Sequence, residues 1–206
     1  MRHRFFATAF TPSVQAEQAR HGSQAGYDRL VSAEDGEPDG LTSVETDFIA
    51  ARDSFYLGTV SETGSPHVQH RGGPAGFVHV LDDRTLAWAD FSGNRQYVSI
   101  GNTAINNRVA LFFMDYPGRH RLKVLGRMTT TEIEARPDLR AKLEVAGYGA
   151  AIEHAILVAV EAFDWNCPQH ITPRFTAAQV EDAVAPLRRQ IAELQERLER
   201  AATTRD

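Results

Sequence analysis

Residues 85–113, TLAWADFSGNRQYVSIGNTAINNRVALFF, read as a strand, a polar glycine turn, a helix and a second strand. Thr85 to Phe91 mixes apolar and β-favouring residues, and Ser92-Gly93-Asn94 breaks the run. Arg95 then stands where Gln96 to Thr103 can begin a helix. Backbone N–H groups at a helix start, the positive end of the helix dipole and a guanidinium together suit a phosphate. A turn of this composition also serves simply to connect two elements, so the local sequence leaves both readings open.

On either side of this segment short strands dominate. Phe55 to Val60 and Pro66 to Arg71 flank the turn Glu62-Thr63-Gly64-Ser65. Phe77 to Leu81 precedes Thr85 to Phe91 across Asp82-Asp83, and Arg108 to Met114 precedes His120 to Glu132 across Tyr116-Pro117-Gly118. Ala155 to Trp165 is a long apolar strand, and Pro137 to Val145 has helical character. Ser43 to Arg52 reads as a helix entering the domain, with Val44, Phe48 and Ala51 on one face. The expected fold is mainly β, of the α+β class: a closed or nearly closed barrel with few helices outside it.

Two appendages frame this body. Residues 1–40 form an arm, with a helical piece around Ser13 to Arg20 and a loose linker from Glu34 to Gly40. Residues 41–175 are the barrel domain, and residues 176–206 a helix. There Thr176 and Gln179 fit a capping box. Val180, Val184, Leu187, Ile191, Leu194 and Leu198 follow at alternating spacings of four and three, the seam of a coiled coil, with Pro186 expected to kink it. The narrow stripe and the charged opposite face favour a homodimer over a helix folded back on its own barrel.

Composition narrows the function. The 206 residues carry a net charge of −5, so no global positive field draws nucleic acid or acidic lipid. A local basic pocket remains compatible with that balance. The single cysteine, Cys167, gives neither a disulfide framework nor a metal cluster by itself. Phe5 to Phe10 is too short for an export signal, and no run reaches membrane-spanning length, so the expectation is a cytoplasmic protein.

Four groups of residues carry chemistry. On the strand Pro66 to Gly73, alternation puts His67, Gln69 and Arg71 on one face and Val68 and His70 on the other. His67 and His70 are therefore poor partners for one metal ion. The second group is Asp90, Ser92, Asn94, Arg95 and Gln96, and the third is Arg121 with Lys123 beside His120. The fourth is Trp165 to Phe175, which carries Trp165 and Arg174 on a segment stiffened by two prolines. GxSxG, HExxH and Walker-type sequences are absent, and Cys167 reads as a packed thiol. A polar binding site without a nucleophile points to a cofactor that carries the reaction, with the catalytic residues unassigned.

The order Gly64-Ser65-Pro66, Gln69-His70-Arg71-Gly72, Asp90-Phe91-Ser92-Gly93-Asn94-Arg95, Asn107 to Phe113, then Val124-Leu125-Gly126-Arg127 resembles the pyridoxamine 5′-phosphate oxidase-like flavoproteins. The resemblance covers roughly residues 42–175. It implies a Greek-key, FMN-binding split β-barrel with peripheral helices, a homodimer, and hydride or electron transfer to a small-molecule substrate. It also implies that Gln69, His70, Arg71, Asp90, Asn94, Arg95 and Gln96 hold the flavin phosphate and ribityl chain. Arg121 matches a position near the flavin ring, and Trp165 and Arg174 match residues that finish the site. FMN is the cofactor implied, with FAD and the deazaflavin F420 as the other members of that chemistry. Gln96 stands where the oxidases proper have lysine, and Arg136 to Tyr148 lacks their substrate-phosphate set. The likeness is thus to a bacterial branch of the superfamily rather than to those oxidases. A flavin-binding module without its own turnover, and a haem-handling split barrel using His67, His70, His120 or His170, are the alternatives.

Overall fold

The structure is a computed structural model that describes residues 4–31, 38–165 and 167–203. The stretch Glu34 to Glu37 of the expected linker, and Asn166, lie outside the described residues. The order is α1 (Arg4–Ala9), α2 (Pro12–Arg20), α3 (Gln24–Val31), α4 (Ser43–Ala50), β1 (Ser54–Val60), β2 (Pro66–Gly72), β3 (Val78–Asp82) and β4 (Thr85–Phe91). There follow α5 (Val98–Ile105), β5 (Arg108–Asp115), β6 (His120–Glu132), a 3₁₀ turn at Ile133–Ala135, α6 (Pro137–Leu143), β7 (Ile152–Trp165) and α7 (Ala177–Thr203). The described residues of Met1–Asp115 and His120–Pro168 form one compact unit; Tyr116–Arg119 and Gln169–Asp206 form a second.

In the first unit the seven strands form one antiparallel sheet in the order β2-β1-β5-β6-β7-β4-β3. β5, β6 and β7 run as a meander and β4 returns to lie beside β7, which is a Greek key. Among the described residues no ladder joins β2 to β3, so the sheet is not closed. It nonetheless curls strongly. β1 and β4 are four strand spacings apart, about 19 Å in a flat sheet, yet the rings of Phe55 and Trp88 lie 5.1 Å apart. Phe55 also stacks on Phe77 and packs on Phe113. The result is the split barrel, with its core made of inward residues from β1, β3, β4, β5, β6 and β7.

The alternation along each strand explains which side chains reach this core. Leu86 and Trp88 of β4 point into the barrel, while Ala87 and Ala89 meet Ile133, Leu139 and Leu143 on the outside. Both faces of β4 are therefore covered, and its pattern is almost continuously buried. At the β6–β7 pairing the register shifts between Leu125 and Gly126. A Cβ on Gly126 would sit 2.5 Å from the Ala159 carbonyl oxygen, so this close approach requires glycine.

Helix α4 corrects one expectation. Val44 is 62% exposed and Ala51 is exposed, whereas Glu45 and Ile49 are buried, with Phe48 half-buried. Glu45 goes inward because its carboxylate has three donors: the Thr42 backbone N–H, the Thr42 hydroxyl and the Trp165 indole N–H at 2.7 Å. A buried acid with that many partners displaces the apolar residue the spacing favoured. The arm also has more helix than its sequence announced: α1 and α3 flank α2, and Phe6, Phe10 and Tyr27 form a ring cluster.

In the second unit, the Thr176 hydroxyl accepts from the Gln179 backbone N–H, and the Gln179 side-chain Oε1 accepts from the Thr176 backbone N–H, so the capping box is formed. α7 then runs 27 residues as one element past Pro186. No helix of the described residues is long and apolar enough to cross a membrane.

Candidate functional site

The site starts from the alternation of β2. His67, Gln69 and Arg71 are half-buried, while Val68 and His70 are exposed. Gln69 pairs with Leu57 and Arg71 with Phe55 across the ladder. Cross-strand partners share a face, and Leu57 and Phe55 are core residues, so Gln69 and Arg71 point inward at the edge of the sheet. Asp90 shares the inward face of β4 with Trp88 and is 5% exposed. Arg71 Nη1 donates to Asp90 Oδ1 at 2.5 Å, bridging the split between β2 and β4. Gln69 Oε1 accepts from the buried Ser99 hydroxyl at 2.7 Å, which ties the same edge to the first turn of α5.

The turn after β4 completes the wall. The Ser92 N–H donates to the Ala151 carbonyl and the Ser92 hydroxyl to Glu153 Oε1 at 2.9 Å. Asn94 Oδ1 accepts from the Gln96 N–H. Arg95 and Tyr97 both have left-handed backbones, with φ of 58° and 52°, a conformation that non-glycine residues hold at some cost and that clusters at functional sites. Tyr97 is the N-cap of α5 and makes no side-chain cap. Arg95 Nε donates to Tyr97 Oη at 3.2 Å. That bond, then the charges of Tyr97 and Glu153, holds the guanidinium above its ordinary range.

These pieces enclose a cavity of about 200 Å³ lined by Gln69, Arg71, Asp90, Phe91, Gly93, Asn94, Arg95, Gln96, Tyr97, Ile100 and Glu153. It adjoins a space of about 460 Å³ bounded by Tyr97, Ile100, Glu132, Glu153 and His154. A third of about 820 Å³, between α5 and β6, includes Ile100, Thr103, Asn107, Arg127, Thr130 and His154. Ile100 lines all three, and Tyr97, Glu132, Glu153 and His154 each line two, so they form one groove along α5. The small end carries two arginines and two carboxylates; the wide end is lined by apolar and neutral polar groups together with Glu132, His154 and Arg127, the last held by Glu161 and Asn107.

Of the residues singled out in the sequence, Gln69, Arg71, Asp90, Asn94, Arg95 and Gln96 thus come together. His70 does not: it lies on the outer face with its ring 5.8 Å from that of Tyr56. Arg121 sits opposite Met114, on the face of β6 that alternates with the core residues Leu122 and Val124. Trp165 donates to Glu45 and packs edge-on against Phe48, with ring centroids 4.7 Å apart. Arg174 belongs to the second unit, 5.0 Å from the Tyr116 ring centroid.

His154, Glu153, Glu132, Tyr97 and Ser99 line or brace the groove and were not singled out by sequence reasoning. His154 is opposite Asp90 in the β4–β7 ladder and opposite Glu132 in the β6–β7 ladder. The available signal was the pair Glu153-His154 directly before the apolar run of β7. Only the strand pairing shows what it faces.

A family model described as pyridoxamine 5′-phosphate oxidase matches residues 41–163. No curated protein matches the sequence. Among solved structures, HupZ of Group A Streptococcus is 15% identical, covering 66% of this chain and 99% of its own, with a TM-score of 0.47. An FMN-binding protein from Syntrophomonas wolfei is 14% identical, covering 74% and 97%, with a TM-score of 0.47. General Stress Protein 26 of Bacillus anthracis is 17% identical, covering 64% and 93%, with a TM-score of 0.44.

Proposed function

Because the chain belongs to the pyridoxamine 5′-phosphate oxidase family, we propose that it is an FMN-dependent oxidoreductase whose small cavity beside α5 takes the flavin phosphate. The observation that carries this reading is the convergence of Arg71, Asn94, Arg95 and the side-chain-uncapped start of α5 on one cavity. Backbone N–H groups at a helix start and a solvent-facing guanidinium are a fitting donor set for a dianion. FMN supplies reversible hydride and electron transfer when bound.

The chain's own residues divide the remaining tasks. Arg95 compensates the phosphate charge, while Arg71 first neutralises Asp90 and so keeps a bare carboxylate from facing the anion. Ser99 fixes the Gln69 amide, leaving its NH₂ group to donate to the ribityl chain. The wider groove along α5 accommodates a small substrate. Trp165 is committed to Glu45 and Phe48 and has no part in this reading.

Titration of FMN into the full-length chain, followed by quenching of flavin fluorescence, tests the assignment. Arg95→Ala should bind FMN about thirtyfold more weakly, the loss of one charge-assisted contact of about 2 kcal/mol. Unchanged affinity would remove Arg95 from the site, and a wild-type chain that ignores FMN would overturn the reading. Oxidation of reduced nicotinamide above a free-FMN control separates an enzyme from a flavin carrier.

We propose as well that α7 pairs with α7 of a second copy, in parallel. Leu187, Ile191, Leu194 and Leu198 are 52–70% exposed along one stripe. In the heptad, Val184 and Ile191 take a and Leu187 and Leu194 take d, the β-branched and Leu combination that favours two parallel strands. Gln190 then meets Gln195 across the flank, whereas an antiparallel pair centred on the stripe sets Arg188 against Arg188.

A further inference from the structure

We propose that Asp90, Glu153 and His154 form a divalent-cation site at the junction of the small cavity and the groove. One ligand atom from each lies within 4.8 Å of the other two. His154 Nδ1 is 3.4 Å from Asp90 Oδ2, matching the edge of about 3.4 Å expected between two donors on a tetrahedral ion with bonds of about 2.1 Å. That nitrogen is buried and lacks a hydrogen-bond partner, since its approach to Asp90 is not aligned for one.

Each of the three ligands also has an outer partner that orients it. Arg71 holds the other oxygen of Asp90 and leaves Oδ2 turned to His154. The Ser92 hydroxyl donates to Glu153 Oε1. His154 Nε2 lies 3.4 Å from Glu132 Oε1, the carboxylate–imidazole–metal arrangement that fixes a ligating ring and raises its basicity. A half-buried histidine whose buried Nδ1 lies beside carboxylates gains from a cation that accepts the Nδ1 lone pair. Two oxygens and one imidazole suit Mn²⁺, Fe²⁺, Co²⁺ or Zn²⁺ better than Mg²⁺ or Ca²⁺. The adjoining space of about 460 Å³, which Glu153 and His154 both line, leaves coordination positions open to water or a groove ligand.

The site stands on geometry independent of the flavin reading, and its test is carried out without flavin. The full-length chain is stripped with a chelator, dialysed and titrated with Zn²⁺ by calorimetry, and with Co²⁺ by visible absorbance. The expected result is one saturable equivalent per chain. Glu132→Gln should weaken it about 10- to 100-fold, as loss of an outer partner does, and Glu153→Gln and His154→Ala should weaken it further. His21→Ala, on the exposed arm, should leave it unchanged. Circular dichroism checks each variant; if His154→Ala does not fold, Glu153→Gln decides. The proposal is overturned by a wild-type chain with no saturable equivalent, or by binding that a folded Glu153→Gln retains in full.

Discussion

Arg71 donates to Asp90 across the open side of the sheet, although β2 and β4 are five strand spacings apart in the hydrogen-bonded order. Laid flat, that path is about 24 Å. The ion pair is therefore a tie between the two margins of the split barrel as well as the floor of the cavity.

Breaking that tie should destabilise the fold. The Arg71 and Asp90 side chains are 17% and 6% exposed, so Arg71→Ala leaves a buried carboxylate without its cation. A loss of about 3–5 kcal/mol in urea unfolding is expected. Arg71→Met with Asp90→Leu should recover most of it, because the pair's own desolvation cost disappears together with the pair. Equal losses in the single and double variants would show that the pair matters through packing instead.

Gly126→Ala should cost about 1–3 kcal/mol, as overpacking does. The new methyl meets the Ala159 carbonyl oxygen and a Val158 methyl at the β6–β7 register shift, and backbone cannot step aside as a flexible side chain would. Thermal unfolding measures it; a melting temperature equal to wild type would mean that the register shift relaxes freely.

Glu45 sets an acid limit. Burial pushes its carboxyl up, but the hydrogen bonds from Thr42 and Trp165 outweigh this and hold it below the ordinary 4.5. A carboxyl lowered on folding contributes stability above 4.5 that is lost as pH falls through the folded value. Melting temperature should therefore drop more steeply below that pH in wild type than in Glu45→Gln. Parallel curves for the two proteins would exclude Glu45 as the group responsible.

Ile191→Asp should abolish pairing through α7. Sedimentation would then report the monomer mass at concentrations where wild type is dimeric, and FMN titration of the unit carrying β1 to β7 separates that loss from misfolding. A dimer that survives Ile191→Asp would place its interface elsewhere.

Several elements were legible because local chemistry and tertiary packing agree. Thr85–Phe91 and His120–Glu132 occupy the spans their patterns predict, and the Thr176–Gln179 capping box forms as its spacing requires. The alternation in Pro66 to Gly72 likewise separates Gln69 and Arg71 from His70. Failure came where a polar group found partners from afar. On α4 the periodicity favours Val44, but Glu45 is drawn inward by Trp165, 120 residues away. His154 reads as a polar residue before an apolar strand until two ladders set it between Asp90 and Glu132.

From the sequence came a closed or nearly closed barrel of short strands, which the family resemblance narrowed to the split-barrel class, and the strand–turn–helix that presents Asn94 and Arg95; strand alternation, turn residues and helix starts are properties of neighbours along the chain. The tertiary structure alone decided that Arg71 meets Asp90, that Ser99 holds Gln69, and that His154 completes a cluster with Glu153. Those pairings depend on how far a seven-stranded sheet curls and which strands it makes neighbours. Curl and strand order follow from packing Phe55, Phe77, Trp88 and Phe113 into one core, a sum over distant residues that no short window contains.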